Sequence, residues 1–460
     1  MRVVLLNSCV VSRPRDRMER QWSIAQVGTA SIAAFLRERG CDVHVLDARL
    51  HKDTAETLAA RVAGLKPAYV GMTAITEEIC DAAAAAEAIK RRDHAITTVI
   101  GGPHATALST QTLEEFDAFD VAVAGEGEIP MAELAGGRPM HAIRGIAYRG
   151  ENGEPVATPP HEQTVPLDDL PLPAWDLFAL HRYQAPVSVE FLRGCPFACS
   201  FCFRIHDRQV RYKSPARVLD ELEYLARAYP VPEWYFSSNG SWPLGRRHAT
   251  EICEGILSRG IRMRWCTSTR VDIVDEPLLA LMQRAGCTFI DFGIESGDAC
   301  LLGQSGKGTD PGQAEAAIKT CYRLGIETEL DFVIGLPYET PQSLEKTRQL
   351  AIRLRPYSTL ANFAIFVPFP GTRACEMAER SEGGVRVRTT DWREYTKQMG
   401  CAITHDAFPD GGLTRYQGRL YLTYYLGSPR KVLQLLRSRN GRRVLDVRRA
   451  LQLLGRFLPR

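Results

Sequence analysis

The chain has 460 residues, 45% of them hydrophobic and 24% charged, enough apolar material for buried cores in roughly three domains. A formal net charge of +3 is too small to imply nucleic acid as a partner. No apolar run approaches the ~20 residues of a membrane span, and Met1–Leu6 is too short an apolar run for a signal peptide.

Thirteen cysteines, an odd number spread along the whole chain, point to reduced thiols in a cytoplasmic protein rather than to a disulfide framework. Cys253, Cys266, Cys287, Cys300 and Cys321 fall in apolar-periodic segments and read as small core residues.

Residues 1–135 alternate short apolar strands with amphipathic helices. Strands are expected at 3–6, 42–47, 68–73, 97–100 and 121–124, and helices at 29–39, 56–63 and 77–90. That alternation predicts an α/β domain with a doubly wound parallel sheet, which binds ligands at the carboxyl ends of its strands. Residues 136–185 read as a connector: a hairpin turning at Asn152-Gly153, then a proline-rich linker over 166–175.

From Ser188 the alternation resumes, with strands expected at 188–192, 234–237, 263–267, 289–294, 329–334 and 361–367 and helices between them. Six such units over 186–372 make a partial (β/α)6 barrel with its site at the strands' carboxyl ends. Residues 373–460 carry no strand pattern and read as a mainly helical segment. Nine arginines and Lys431 over 430–460 face one acid, Asp446. This reads as a helix packed on the barrel, or as a basic amphipathic helix making weak membrane-surface contact.

One cysteine group is tight. Arg193-Gly-Cys195-Pro-Phe-Ala-Cys199-Ser-Phe-Cys202 follows directly on the first barrel strand. Three soft thiolates within eight residues can wrap an iron–sulfur cube and leave one iron open for a small ligand. A zinc site, with His206 as fourth ligand, is the competing reading.

The C-x3-C-x2-C spacing, with Phe201 before the last cysteine, resembles the radical S-adenosylmethionine (SAM) signature, and the likeness extends over about residues 185–375. It implies a 4Fe-4S cluster on Cys195, Cys199 and Cys202 whose open iron chelates SAM. It further implies SAM contacts from Ser237, Ser238 and Asn239 after the second strand, Ser268 and Arg270 at the third, Glu295 at the fourth and Gly335 at the fifth. Ser-Ser-Asn stands where relatives often carry acids.

In the first domain, Thr73, Gly101-Gly102-Pro103-His104 and Gly125-Glu126-Gly127-Glu128 all follow strands. They resemble the cobalamin-binding (B12) domain that precedes many radical SAM cores. The resemblance implies cobalamin contacts from Thr73, Gly101, Gly102, His104, Gly125, Glu126 and Gly127. The stretch Asn7-Ser-Cys9-Val-Val-Ser lacks the histidine that ligates cobalt in dedicated B12 domains. His104 is expected to serve as a turn histidine rather than a cobalt ligand.

By the same resemblance the enzyme is a C-methyltransferase with SAM, cobalamin and the cluster as cofactors. A 5′-deoxyadenosyl radical takes hydrogen from an unactivated carbon, methylcobalamin supplies the methyl group, and a second SAM restores it. Partners are a small-molecule substrate and a reduced flavodoxin or ferredoxin. The alternatives are a cyclase, ring-contracting or oxidising enzyme with the same cofactors; a methylthiotransferase with a second cluster on Cys9, Cys41 and Cys80; and a non-catalytic metal-binding protein. No catalytic side chain is singled out.

Overall fold

The computed structural model describes residues 1–7, 25–161, 164–183, 187–206, 208–229, 231, 233–237, 241–398, 402–409 and 411–437. They form two compact units. The first comprises 1–196 with 203–217 and 227–231; the second comprises 197–202, 218–226 and 232–460.

The first unit holds strands β1 (Arg2–Asn7), β2 (Asp42–Asp47), β3 (Tyr69–Thr73), β4 (Thr97–Gly101), β5 (Val121–Val123), β6 (Ile146–Arg149) and β7 (Pro155–Ala157). They make one sheet in the order β2-β1-β3-β4-β5-β6-β7. The first five are mutually parallel, and β6 and β7 add antiparallel at the edge. Val3, Val4, Leu5 and Leu6 are all buried, so successive side chains of β1 are covered on both faces, as a parallel sheet flanked by helices requires. Helices Val27–Glu38 and Glu128–Ala135 pack on one face with Val3, Leu5, Val99 and Val121.

Every strand and helix expected over 1–135 is present, with ends displaced by two residues or fewer. The connector differs in one respect. Its hairpin is not a free spacer but the last two strands of the first sheet, where Ala147 pairs with Ala122. Strand order 2-1-3-4-5 reverses direction between β1 and β3, and the carboxyl ends there, Asn7 and Thr73, flank the crevice where such sheets take ligands.

Beyond that sheet the first unit contains β8 (Val187–Glu190) and a short antiparallel pair, β9 (Leu192–Arg193) with β10 (Arg211–Tyr212). That pair brings the segment before Cys195 beside the segment after Cys202.

In the second unit β11 (Trp234–Ser237), β12 (Trp265–Arg270), β13 (Cys287–Glu295), β14 (Glu327–Ile334) and β15 (Leu360–Ile365) are parallel neighbours in sequence order. All six strands expected over 186–372 therefore form. Helices intervene at Arg246–Ser258, Glu276–Arg284, Pro311–Leu324 and Pro341–Leu354. The last two begin on Asp310 and Thr340 caps with proline at the first turn.

Strand β15 exposes a ladder edge that side chains close. Tyr425 Oη accepts from Ala361 N at 2.8 Å and donates to Ala361 O at 2.7 Å. Tyr421 Oη accepts from Phe363 N at 3.1 Å, while Gln417 Nε2 donates to Phe363 O at 2.6 Å. Phenols and an amide thus satisfy donors and acceptors that another strand would otherwise pair. The tyrosine-rich run over 416–426 packs on this edge.

One expectation for the remainder is corrected. Val385–Val387 and Ile403–His405 form an antiparallel pair, so strand is present beyond residue 373. In helix Pro429–Arg437 Lys431 is buried, its Nζ donating to Ser358 O at 2.5 Å, while Leu433 and Leu436 are exposed. The basic run 438–460 lies outside the described residues. Among the described residues no helix is long and apolar enough to cross a membrane.

Candidate cofactor-binding turns and thiol loop

The strand-end turns of the first sheet are built for close backbone approach. Gly102 has φ +90°, and a Cβ there would lie 2.5 Å from Thr73 Oγ1 and 2.9 Å from Ala74 O. Only glycine lets the β3 and β4 turns touch. His104 N donates to Ala74 O at 3.3 Å, and Thr106 Oγ1 accepts from Gly125 N at 3.0 Å. Thr73, Gly101, Gly102, Gly125 and Gly127 are therefore gathered at one end of the sheet.

His104 is 1% exposed, and burial pushes its pKa down to about 4, so the ring is neutral at neutral pH. Its Nδ1 faces Thr76 Oγ1 at 3.4 Å. The hydrogen-bond partner seen for the ring is thus a side-chain hydroxyl, where a turn histidine bonded to backbone was expected.

The two glutamates of the Gly-Glu-Gly-Glu turn are already engaged. Arg193 donates from Nη1 to Glu126 at 2.7 Å, from Nη2 to Glu128 at 2.6 Å and from Nε to Glu190 at 2.9 Å. Glu126 also takes Arg211 and His206 Nδ1, the latter at 3.0 Å. Burial alone would raise the Glu128 pKa; the Arg193 charge, with hydrogen bonds from Arg193 and Ser31, outweighs it and holds the carboxylate below its usual range. Burial alone would likewise lower the Arg193 pKa, and the Glu190 and Glu128 carboxylates reverse that. The Glu126 carboxylate is thus part of an ion-pair cluster. Sequence reasoning missed Arg193; its partners Glu126 and Glu128 stand more than sixty residues away.

Residues 197–202 of the thiol loop, carrying Cys199 and Cys202, are pinned in the second unit; Cys195 belongs to the first. Ser200 N donates to Ser305 O at 2.8 Å, and Ser200 O accepts from Ala374 N at 2.9 Å. Gly306, at φ +70°, approaches so closely that a Cβ would lie 2.5 Å from Ala198 O. Cys195 and Cys199 are half-buried, Cys202 is exposed, and none of the three is in a disulfide. Among the described residues no three His, Cys, Asp or Glu side chains surround a common point as ligands of one metal ion. A single zinc would need that convergence, with Zn–S near ~2.3 Å. A four-iron cube gives each thiolate its own iron, so three cysteines within eight residues fit it. His206, the zinc reading's fourth ligand, faces Glu126 instead.

Around Cys199 stand two ion pairs, one buried (Lys307–Glu295) and one whose carboxylate, Asp272, reaches solvent. Arg270 holds Asp272 through Nε at 2.9 Å and Nη2 at 2.8 Å, and Lys307 Nζ holds Glu295 Oε1 at 2.9 Å. Glu295 sits at φ +65° after a bulge in the β13–β14 register, which re-aims its carboxylate toward Lys307. Gly293 makes the space, since a Cβ there would lie 2.6 Å from Glu295 Oε1. Glu295 is thus an ion-paired carboxylate, not a free one. Ser268 hydrogen-bonds Tyr235.

Gly335, at φ +82°, packs against Leu413, and its N–H donates to the Glu339 carboxylate. Burial pushes the Glu339 pKa up to about 8. Glu339 was also missed; the available signal was an acid four residues after the strand-end glycine. Ser237 ends β11, whereas Ser238, Asn239 and Cys9 lie outside the described residues.

A further group lines the sheet interior. Asp291, Glu329 and Asp331 alternate with buried apolar residues on β13 and β14, and Asp291 pairs in register with Glu329. Burial first, then repulsion from neighbouring carboxylates (Asp331 for Asp291 and Glu329, Glu295 for Asp331), pushes all three pKa values up, Glu329 to about 8.

Comparison with known proteins matches this architecture. Residues 22–135 match the B12 binding domain model, and residues 189–351 match the Radical SAM superfamily model. The chain is 32% identical over 410 residues to an uncharacterized methyltransferase of Pyrococcus horikoshii, covering 87% of each chain. It is 33% identical over 383 residues to the anaerobic magnesium-protoporphyrin IX monomethyl ester cyclase of Rubrivivax gelatinosus, covering 80% of this chain and 67% of that one. The solved structure of the radical SAM methyltransferase TsrM from Kitasatospora setae, with cobalamin and a [4Fe-4S] cluster bound, superposes with TM-score 0.73. It is 21% identical and covers 93% of this chain and 89% of that one.

A B12-type sheet followed by a radical SAM sheet defines the class: a radical SAM enzyme with a cobalamin-binding domain. The chain belongs to the cobalamin-dependent radical SAM family, whose cofactors are a 4Fe-4S cluster, SAM and cobalamin.

Proposed function

We propose that this enzyme is a C-methyltransferase acting on an unactivated carbon of a small molecule. The observation that carries the reading is the near full-length match to a methyltransferase relative, combined with both cofactor modules in one chain. When bound, the cluster and SAM supply a 5′-deoxyadenosyl radical and methylcobalamin supplies the methyl group; the organic chemistry is the cofactors' own.

The chain's residues hold and orient. Cys195, Cys199 and Cys202 hold the cluster, on a loop fixed through Ser200 and Gly306. Ser237, Ser268, Glu295 and the Gly335 turn line the carboxyl ends of β11 to β14 and receive SAM, with Ser238 and Asn239 following β11. The backbone of Gly101, Gly102, Gly125 and Gly127, with Thr73, receives cobalamin, and neutral His104 supports the turn from beneath without ligating cobalt. The domain limits that follow are 1–135 for cobalamin, 136–185 for the connector, 186–372 for the radical SAM core and 373–460 for the closing segment. A reduced flavodoxin or ferredoxin supplies the electron, in the cytoplasm.

The match to a ring-forming cyclase supports a second reading, with the same cofactors and no methyl transfer. The two part on a reaction that needs no substrate. Cobalamin-loaded protein, reduced and given SAM, yields S-adenosylhomocysteine and methylcobalamin if it is a methyltransferase. Deoxyadenosine without S-adenosylhomocysteine favours the cyclase reading.

A further inference from the structure

We infer that Arg270 is a positioning residue for the cluster, and that its guanidinium sets the cluster's reduction potential through Cys199. The inference rests on the assignment of Cys199 as a cluster ligand.

Arg270 is 6% exposed, and nearly every donor it has is assigned. Nε and Nη2 grip Asp272, Nη2 also donates to Lys307 O at 2.7 Å, and Nη1 points to Cys199 Sγ at 3.7 Å. The plane of the guanidinium lies over the Phe197 ring, with Cζ 3.8 Å from its centroid. Phe197 and Cys199 are both on the thiol loop, so one side chain stacks on that loop and donates to its sulfur.

The arrangement fixes where the cation's charge acts. Asp272 and the Lys307 carbonyl occupy one edge of the fork, which turns the Nη1 edge toward sulfur. Lys307, paired with Glu295 at 2.9 Å, adds a second cation nearby. Such a rigid, buried fork donates to a thiolate with little loss of side-chain freedom.

Reduction adds negative charge to a cluster and its sulfurs. A cation and an N–H donor beside a sulfur stabilise the reduced form more than the oxidised one, raising the potential. SAM binding at Arg270, the role suggested by sequence, would need donors that are already taken. The geometry therefore moves Arg270 from the SAM contacts to the ligand's own support. Because Asp272 partly neutralises Arg270, the pair also predicts that the two residues shift the potential in opposite directions.

The test is a redox titration of the cluster-loaded protein without SAM, followed by electron paramagnetic resonance. Arg270→Gln should titrate at a more negative midpoint than wild type, Arg270→Lys between the two, and Asp272→Asn at a more positive midpoint. Asp272 is partly exposed, so that variant keeps the inference testable if Arg270→Gln does not fold. Midpoints equal to wild type in every variant that loads a cluster overturn the role of Arg270 and leave the cluster assignment standing. Absence of a 4Fe-4S signal in wild type overturns the cluster assignment, and this inference with it.

Discussion

Arg193 Nη2 stands 2.6 Å from Glu128 Oε1, so the residue two places before Cys195 is tied to the turn that ends β5. Arg193 is 4% exposed and is the common partner of Glu126, Glu128 and Glu190. Removing one partner of a buried pair leaves uncompensated charge and costs about 3–5 kcal/mol. Arg193→Gln should therefore lower unfolding free energy by that order in urea denaturation. Glu190→Gln, which leaves Arg193 two carboxylates, should cost less.

His104 gives the first unit an acid limit. Its folded pKa, about 4, lies below the ordinary histidine value, so the unfolded chain binds more protons between the two. The contribution is fully present above about pH 6.5 and is lost as pH falls toward 4. Relative to His104→Gln, wild type should lose roughly 2 kcal/mol between pH 7.5 and pH 5, measured by thermal melts across that range. Parallel pH profiles for the two proteins would contradict the burial account.

Glu329 carries the opposite sign. Its folded pKa is raised to about 8, so the folded state binds the extra proton. That contribution is present below the unfolded carboxyl value and is lost as pH rises through 8. Glu329→Gln should match wild type near pH 5 and be the more stable protein at pH 9, again by thermal melts.

Gly102→Ala tests the β3–β4 turn. The added Cβ meets Thr73 Oγ1 and Ala74 at a φ of +90°, a combination that costs about 1–3 kcal/mol in strain. Cobalamin retention after gel filtration should fall, while iron content stays at the wild-type level. Unchanged cobalamin retention would remove this turn from the cobalamin site.

Much of this was legible because strands such as Val3–Leu6 and Thr97–Ile100 are short apolar runs bounded by turns, and their period separates them from the helices. The cysteine loop and the glycine turns were legible because their chemistry is local in sequence. Contacts between distant residues were not. Nothing near Arg193 announces Glu126, and nothing near Cys199 announces Arg270, which is brought to it by β12. The pair Val385–Val387 with Ile403–His405 was missed because three-residue strands carry too little periodicity to register. Lys431, in the basic run, is buried against the carbonyls of Arg355 and Ser358, a burial that a helical spacing rule does not reveal.

The most direct test of the two-cofactor account is iron and cobalamin content after anaerobic expression with B12 supplied. The account predicts about four irons and one cobalamin per chain, with Cys199→Ala losing the iron and keeping the cobalamin. Iron without cobalamin would contradict the methylcobalamin chemistry. About eight irons would point to a second cluster, and zinc in place of iron would contradict the account at its root.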